Sequence, residues 1–95
     1  MKLYKTNEDF LLREIAGEYI LVPVGNGAQQ LNGMLTLNDT FRFVWEQFKE
    51  ARTIEDVVKR TEQEYDAEKG RIEQDVCQFV RECLEYGFMK EEELL

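Results

Sequence analysis

The side chains that most often carry out chemistry are scarce in this sequence. Histidine is absent, and the two cysteines, Cys77 and Cys83, do not form a C-x-x-C pair. Zinc, haem and iron–sulfur sites therefore lack their usual ligand sets. A helical segment would separate the two cysteines by about 9 Å and turn them to different sides, which argues against a disulfide. We expect Cys83 to be a small core residue and Cys77 to flank the core.

The glycines and carboxylates do not form a catalytic pattern either. Gly25-x-Gly27 lacks the third glycine and the following helix of a phosphate-binding loop. The acidic residues occupy polar helix positions or the C-terminal run Glu91-Glu92-Glu93, which is typical of solvated surface. Catalysis needs a nucleophile beside a base, or paired carboxylates in a pocket. The sequence predicts a protein that is not an enzyme and that holds no metal or cofactor.

Composition favours one acidic globular domain. The 95 residues are 43% hydrophobic, enough for one modest core. Twenty acidic and twelve basic residues give a net charge of −8, which repels the phosphate backbone and disfavours nucleic acid as a partner. A cationic peptide, or a basic patch on another protein, would be steered toward such a surface. With no apolar run near the ~20 residues that span a bilayer and no signal-peptide core, a cytoplasmic protein without membrane contact is predicted.

The elements that would position a binding site begin with three short strands. Two apolar runs within residues 10–24 flank a turn at Gly17 and predict a β-hairpin. A glycine-rich loop is expected at residues 25–33. After it, the short apolar stretch 34–37 fits a third strand that is a plausible sheet edge.

Helical periodicity and capping residues predict three helices after the strands. Asn38 should cap the first helix, Thr53 the second and Asp66 the third, which would run to about residue 86 and end at Gly87. The tail at residues 90–95 is expected to be frayed. The prediction is an α+β fold, a winged helix-turn-helix with a three-stranded antiparallel sheet followed by three helices. It forms a single domain over residues 1–95, with its core at about 10–89.

The predicted third strand is the feature most suited to binding a partner. In a meander this strand has one ladder side free, and an extended peptide can add there through main-chain hydrogen bonds. A short edge can equally be blunted by the preceding loop or by dimerisation. The residues alone leave both interpretations open.

Several segments, in their order and spacing, resemble the PqqD-like family, which is named for the peptide chaperone of pyrroloquinoline quinone biosynthesis. The resemblance covers about residues 10–89. Its matching pieces are residues 13–23, 31–40, 43–45, 52–57 and 64–66, followed by Asp75, Val76, Phe79, Leu84, Gly87 and Phe88.

The resemblance implies a non-catalytic recognition element that binds the leader of a ribosomally synthesised precursor peptide. It would present that leader to a modifying enzyme, usually a radical S-adenosylmethionine enzyme, and bind neither that cofactor nor an iron–sulfur cluster itself. The leader would pair with the third strand and lie in a groove between that strand and the third helix. By position, the peptide-binding residues would be Met34, Leu35, Thr36, Leu37, Arg71, Ile72, Asp75, Val76 and Phe79.

Two points stay open at this level. Asp75 flanks the apolar stripe of its helix, so it can contact either a peptide or a local hydrogen-bond partner. The alternative function is that of an acidic winged-helix regulator or protein-interaction adaptor that binds no leader.

Overall fold

Three helices and two small sheets make up the fold, which a computed structural model of the chain describes for residues 2–25 and 35–93. The strands β2, β3 and β4 form an antiparallel sheet in that order, and β1 pairs with β5. The predicted α+β arrangement of a three-stranded sheet followed by three helices is confirmed. The elements in chain order are β1 (Lys2–Thr6), β2 (Phe10–Ile15), β3 (Glu18–Pro23), β4 (Leu35–Leu37), α1 (Asp39–Gln47), α2 (Ile54–Glu64), α3 (Arg71–Tyr86) and β5 (Met89–Glu93).

The predicted β-hairpin is formed by β2 and β3. Ile15 lies opposite Glu18, so the turn consists of Ala16 and Gly17 alone. Both turn residues have positive φ, 52° and 83°, which matches the twist of the flanking strands. Glycine adopts this conformation without a steric cost, so Gly17 suits its place in the turn.

β4 lies at an edge of the three-stranded sheet. Leu37 pairs with Tyr19 and Leu35 with Leu21, and among the described residues β3 is the only strand that pairs with β4. The predicted edge position of this strand is confirmed. Met34, which we placed in the same strand, lies outside the described residues, as does most of the predicted loop.

Two of the predicted helix caps are confirmed and one is wrong. The side chain of Asn38 accepts a hydrogen bond from the Phe41 N–H at 2.8 Å, and that of Thr53 accepts one from the Asp56 N–H at 3.1 Å. Asp66 does not cap α3, because the chain leaves α2 in extended conformation at Tyr65 and resumes a helix only after Gly70. Gly70 has a φ of 85°, a conformation that glycine adopts readily.

The prediction of a frayed tail is wrong for residues 90–93, because they belong to β5. This strand pairs antiparallel with β1 over five residue pairs, and Lys2 forms an ion pair with Glu91 at 3.3 Å. Hydrogen bonds from the Tyr4 N–H to the Arg52 carbonyl and from the Thr6 N–H to the Phe48 carbonyl tie β1 to the helical part. The two termini thereby stabilise each other.

The core is a single cluster to which the three-stranded sheet, all three helices and β5 contribute. Thr61 is fully buried, and its hydroxyl donates to the Val57 carbonyl at 2.8 Å, which satisfies the polar group. No helix in the described part of the chain is long and apolar enough to cross a membrane. The most deeply buried apolar side chains are Leu21, Val44, Trp45, Phe48, Val57, Val76, Val80 and Cys83.

Candidate functional site

An open groove of about 260 Å³ runs between the edge strand β4 and helix α3. Its apolar surface includes two stacked rings, Phe41 of α1 and Phe79 of α3, whose centroids lie 4.9 Å apart at an interplanar angle of 15°. We call this the β4–α3 groove. It is lined by Leu35, Thr36, Leu37, Phe41, Asp75, Gln78, Phe79 and Glu82.

The local sequence explains why these residues meet. Asn38 caps α1 directly after β4 ends, so Phe41 in the first turn of α1 lies close to the strand. Helix α3 contributes its four groove residues at positions i, i+3, i+4 and i+7, which share one face of a helix. Burial of the adjacent apolar stripe fixes how this face is turned. The groove therefore follows from the order strand, cap, helix and from the helical period.

The α3 wall of the groove is acidic. The Nε of Arg71 lies 3.2 Å from the Asp75 carboxylate, and the Gln78 amide donates to Glu82 at 3.2 Å. Burial, and secondarily the negative charge of Glu82, raises the pKa of the Cys83 thiol to about 12. Neither lysine nor arginine belongs to the groove lining in the described part of the chain. The groove is thus apolar on one side and negatively charged on the other.

The strand side of the groove offers main-chain groups with which no second strand of the described residues pairs. A sheet strand alternates its backbone N–H and C=O groups between its two edges, and β4 has a partner on one edge only among residues 2–25 and 35–93. Thr36 is exposed at the centre of the strand. An extended segment laid beside β4 would satisfy the unpaired groups and place alternate side chains against Phe41 and Phe79.

Five of the predicted site residues lie together in the groove lining: Leu35, Thr36, Leu37, Asp75 and Phe79.

The other predicted site residues are placed differently. Arg71 is exposed and reaches the site only through its ion pair with Asp75. Ile72 and Val76 are not among the residues that line the groove, because their stripe of α3 packs into the core and leaves them 6% and 1% exposed. Their part in peptide binding stays a prediction. Met34 lies outside the described residues.

Three groove residues were missed by the sequence analysis. Phe41 was assigned to the core stripe of α1, whereas its ring is only partly buried and contributes to the groove surface. Gln78 and Glu82 are three and seven residues after Asp75, so the helical period alone places them on the same face. Extending that periodicity from Asp75 would have identified both.

A second open cavity, of about 540 Å³, lies at the opposite edge of the sheet, along β2. Its charged lining consists of Lys5, Arg13, Lys49 and one carboxylate, Glu8. Exposed Leu11, at 42%, adds apolar surface there. The two edges of the sheet therefore differ in sign: the β2 edge is basic and the β4 edge is acidic.

Within the described residues, no group of three or more Asp, Glu or Cys side chains is arranged so that it could hold a metal ion. The cysteines lie where the sequence predicted, with Cys83 buried and Cys77 partly exposed at its flank.

Comparison with known proteins agrees with this description. The family model described as coenzyme PQQ synthesis protein D (PqqD) matches residues 18–89. A solved structure described as TbiB1 in complex with the TbiA(beta) leader peptide has a TM-score of 0.70 and 19% identity, covering 90% of this chain and 94% of that chain. A structure of lasso peptide synthetase B1 complexed with the leader peptide also has a TM-score of 0.70, with 18% identity and coverage of 92% and 96%. The TM-scores show a shared fold. No curated protein matches the chain by sequence.

Proposed function

The chain belongs to the PqqD family, and from this membership and the groove we propose that it binds the leader of a ribosomally synthesised precursor peptide and presents it to a modifying enzyme. The observation that carries the proposal is an edge of β4 that no strand among residues 2–25 and 35–93 pairs with, beside a groove with an apolar surface. The two solved structures with the same fold, each bound to a leader peptide, support it.

The leader would bind by strand addition. Its backbone would pair with β4 at Leu35, Thr36 and Leu37, and alternate side chains would enter the groove toward Phe41 and Phe79. Main-chain pairing provides affinity that does not depend on sequence, whereas the groove reads side chains. The acidic wall adds a charge contact at Asp75.

The protein would act without catalysing a step itself. We propose that the modifying enzyme is a radical S-adenosylmethionine enzyme, as the family resemblance implies, and that the two meet the precursor in the cytoplasm. Presentation then increases the local concentration of the precursor core at the enzyme, because a bound leader tethers the core that follows it.

Calorimetric titration of the protein with the leader encoded beside it tests this function. We expect saturable one-to-one binding that Asp75→Ala weakens about two- to threefold, because Asp75 is partly exposed and a leader cation must compete with Arg71 for it. The Arg71–Asp75 pair is exposed, so the melting temperature should hardly change.

Glu73→Ala is the matched control, because Glu73 is exposed on α3 but lines a different face, toward α2. It should bind the leader as the unmodified protein does. Absence of saturable binding to the unmodified protein would contradict the proposed function and favour the adaptor alternative. Unaltered affinity with lowered stability in Asp75→Ala would make Asp75 a structural residue.

A further inference from the structure

We propose that the β4–α3 groove selects leaders in which an apolar residue has a lysine or arginine two positions away on either side, with Glu82 as the main selecting residue. This inference rests on the proposed function, because it assigns a substrate class to the same groove. Three observations carry it: the charge balance of the lining, the pairing state of its two carboxylates and their spacing around Phe79.

The charge balance excludes an acidic leader from close contact. The lining contains two carboxylates, Asp75 and Glu82, and no cationic side chain among the described residues. An acidic leader side chain placed in this groove would meet like charges and lose its hydration. A basic one would meet opposite charge, and the protein's net charge of −8 would favour its approach.

The two carboxylates are not equally available. Asp75 already forms an ion pair with Arg71, at 3.2 Å from Nε, so a leader cation must compete for it. Glu82 accepts a hydrogen bond from the Gln78 amide, which is neutral, and no lysine or arginine of the described residues forms an ion pair with it. The negative charge of Glu82 is therefore uncompensated, so Glu82 should discriminate more strongly than Asp75.

Spacing links the charge contacts to the apolar contact. Phe79 lies four residues after Asp75 and three before Glu82, so the Cα atoms of the two acidic residues lie about 6 Å and 4.5 Å from that of Phe79 along the helix axis. Alternate residues of an extended chain point to the same side and are about 6.6 Å apart. A leader whose apolar residue contacts Phe79 thus brings residues two positions away within reach of Asp75 on one side and Glu82 on the other.

The arrangement accepts either strand direction. Because an acidic residue stands on each side of Phe79, the pattern basic-x-apolar-x-basic fits a leader that runs parallel or antiparallel to β4. A leader with a single basic residue should bind in the direction that brings it to Glu82. The groove would then set the orientation of the leader as well as its composition.

Peptide selection tests the inference. A displayed library of random 12-residue peptides is selected for binding to the immobilised full chain. We expect enrichment of the pattern apolar-x-basic or basic-x-apolar. The preference for lysine or arginine over glutamine should be roughly two- to fivefold, as for a partly exposed ion pair. Selection on Glu82→Gln should lose most of this preference, and selection on Glu82→Lys should shift it toward acidic residues. Selection on Glu73→Gln, which removes one negative charge outside the groove, should retain it.

A double-mutant cycle measures the contact directly. One selected peptide and its lysine-to-glutamine variant are each titrated against the unmodified protein and against Glu82→Gln. Coupling between the peptide lysine and Glu82 supports the inference. Apolar enrichment without a basic preference, or a basic preference that survives in Glu82→Gln, overturns it while leaving the proposed function standing. Enrichment of no peptide family at all counts against both. Glu82 is exposed, so its variants should fold, which a thermal melt verifies.

Discussion

Phe79 and Asp75, one helical turn apart on α3, contribute different kinds of contact to the groove. Phe79 is only 5% exposed and stacks on Phe41, so it supports the core and the groove surface together. Asp75 is exposed enough to be replaced without loss of packing. The family resemblance assigned both residues to the groove by motif matches, and helical spacing added Ile72 and Val76. Spacing alone does not distinguish groove residues from core residues, because the boundary between core and groove depends on which elements cover each part of the stripe.

The two cysteines should differ sharply in reactivity. Burial and the nearby charge of Glu82 raise the pKa of Cys83 to about 12, whereas Cys77 is partly exposed. Because the thiolate is the reactive form, a maleimide or disulfide reagent at pH 8 should modify one thiol of the native protein and two after denaturation. Mass spectrometry of the labelled peptides identifies the sites. Modification of Cys83 in the native protein at a rate equal to that of Cys77 would contradict the described core.

Asp39 should make stability depend on pH in the acid range. Hydrogen bonds from Arg42 at 2.9 Å and from the Tyr65 hydroxyl at 2.8 Å lower the pKa of Asp39 below 3.8. Its stabilising contribution is therefore complete above the unfolded-state pKa and is lost as pH falls through the lower folded-state value. We expect Asp39→Asn to melt a few degrees below the unmodified protein at pH 6, and the gap to shrink as the pH falls below 3.8.

Asp66→Asn, at an exposed site outside this cluster, is the control for that pH series. It should show no gap that depends on pH. A gap for Asp39→Asn that stayed constant from pH 6 to pH 2 would show that the ionised carboxylate is not what stabilises the cluster.

At the scale of elements, the sequence predicts the hairpin, the edge strand and the three helices, but not β1 and β5. The hairpin has an apolar pattern and a local turn, and helices carry their own period and caps, so short windows reveal them. β1 and β5 contain charged residues, and paired positions of the two strands are more than eighty residues apart in the sequence. From the sequence alone, the run Glu91-Glu92-Glu93 cannot be distinguished from a solvated tail. Charged residues on exposed strands are common, because they discourage aggregation.

Strand β5 should contribute measurably to stability. Glu92 lies opposite Leu3 in the β1–β5 sheet. Glu92→Pro removes a backbone donor and distorts the strand, so it should lower the melting temperature by about 5 °C or more, which corresponds to roughly 1 kcal/mol in a domain of this size. Glu92→Ala keeps the backbone donor and is the control, with little expected change. Equal melting temperatures for both variants would mean that the paired tail contributes nothing to folding.

At the scale of the whole molecule, the three-stranded sheet has two edges, and the surfaces beside them differ in charge. The β4 edge faces the acidic groove of α3, and the β2 edge faces a cavity whose lining includes Lys5, Arg13 and Lys49. The family match begins at residue 18 and therefore leaves out β1 and β2, although Tyr4, Phe10 and Leu12 pack against the core. An extended peptide could add at either edge, so the location of binding distinguishes the β4–α3 groove from the β2 edge as the leader site.

NMR chemical-shift mapping measures that location directly. The uniformly ¹⁵N-labelled protein is titrated with a leader from its own gene neighbourhood. We expect the largest amide shifts at Leu35–Leu37 and on the α3 face around Asp75, Gln78 and Glu82, and almost no shift at Leu11 and Arg13 of β2. Shifts concentrated along β2, or none at a saturating leader concentration, would contradict leader binding at the β4–α3 groove.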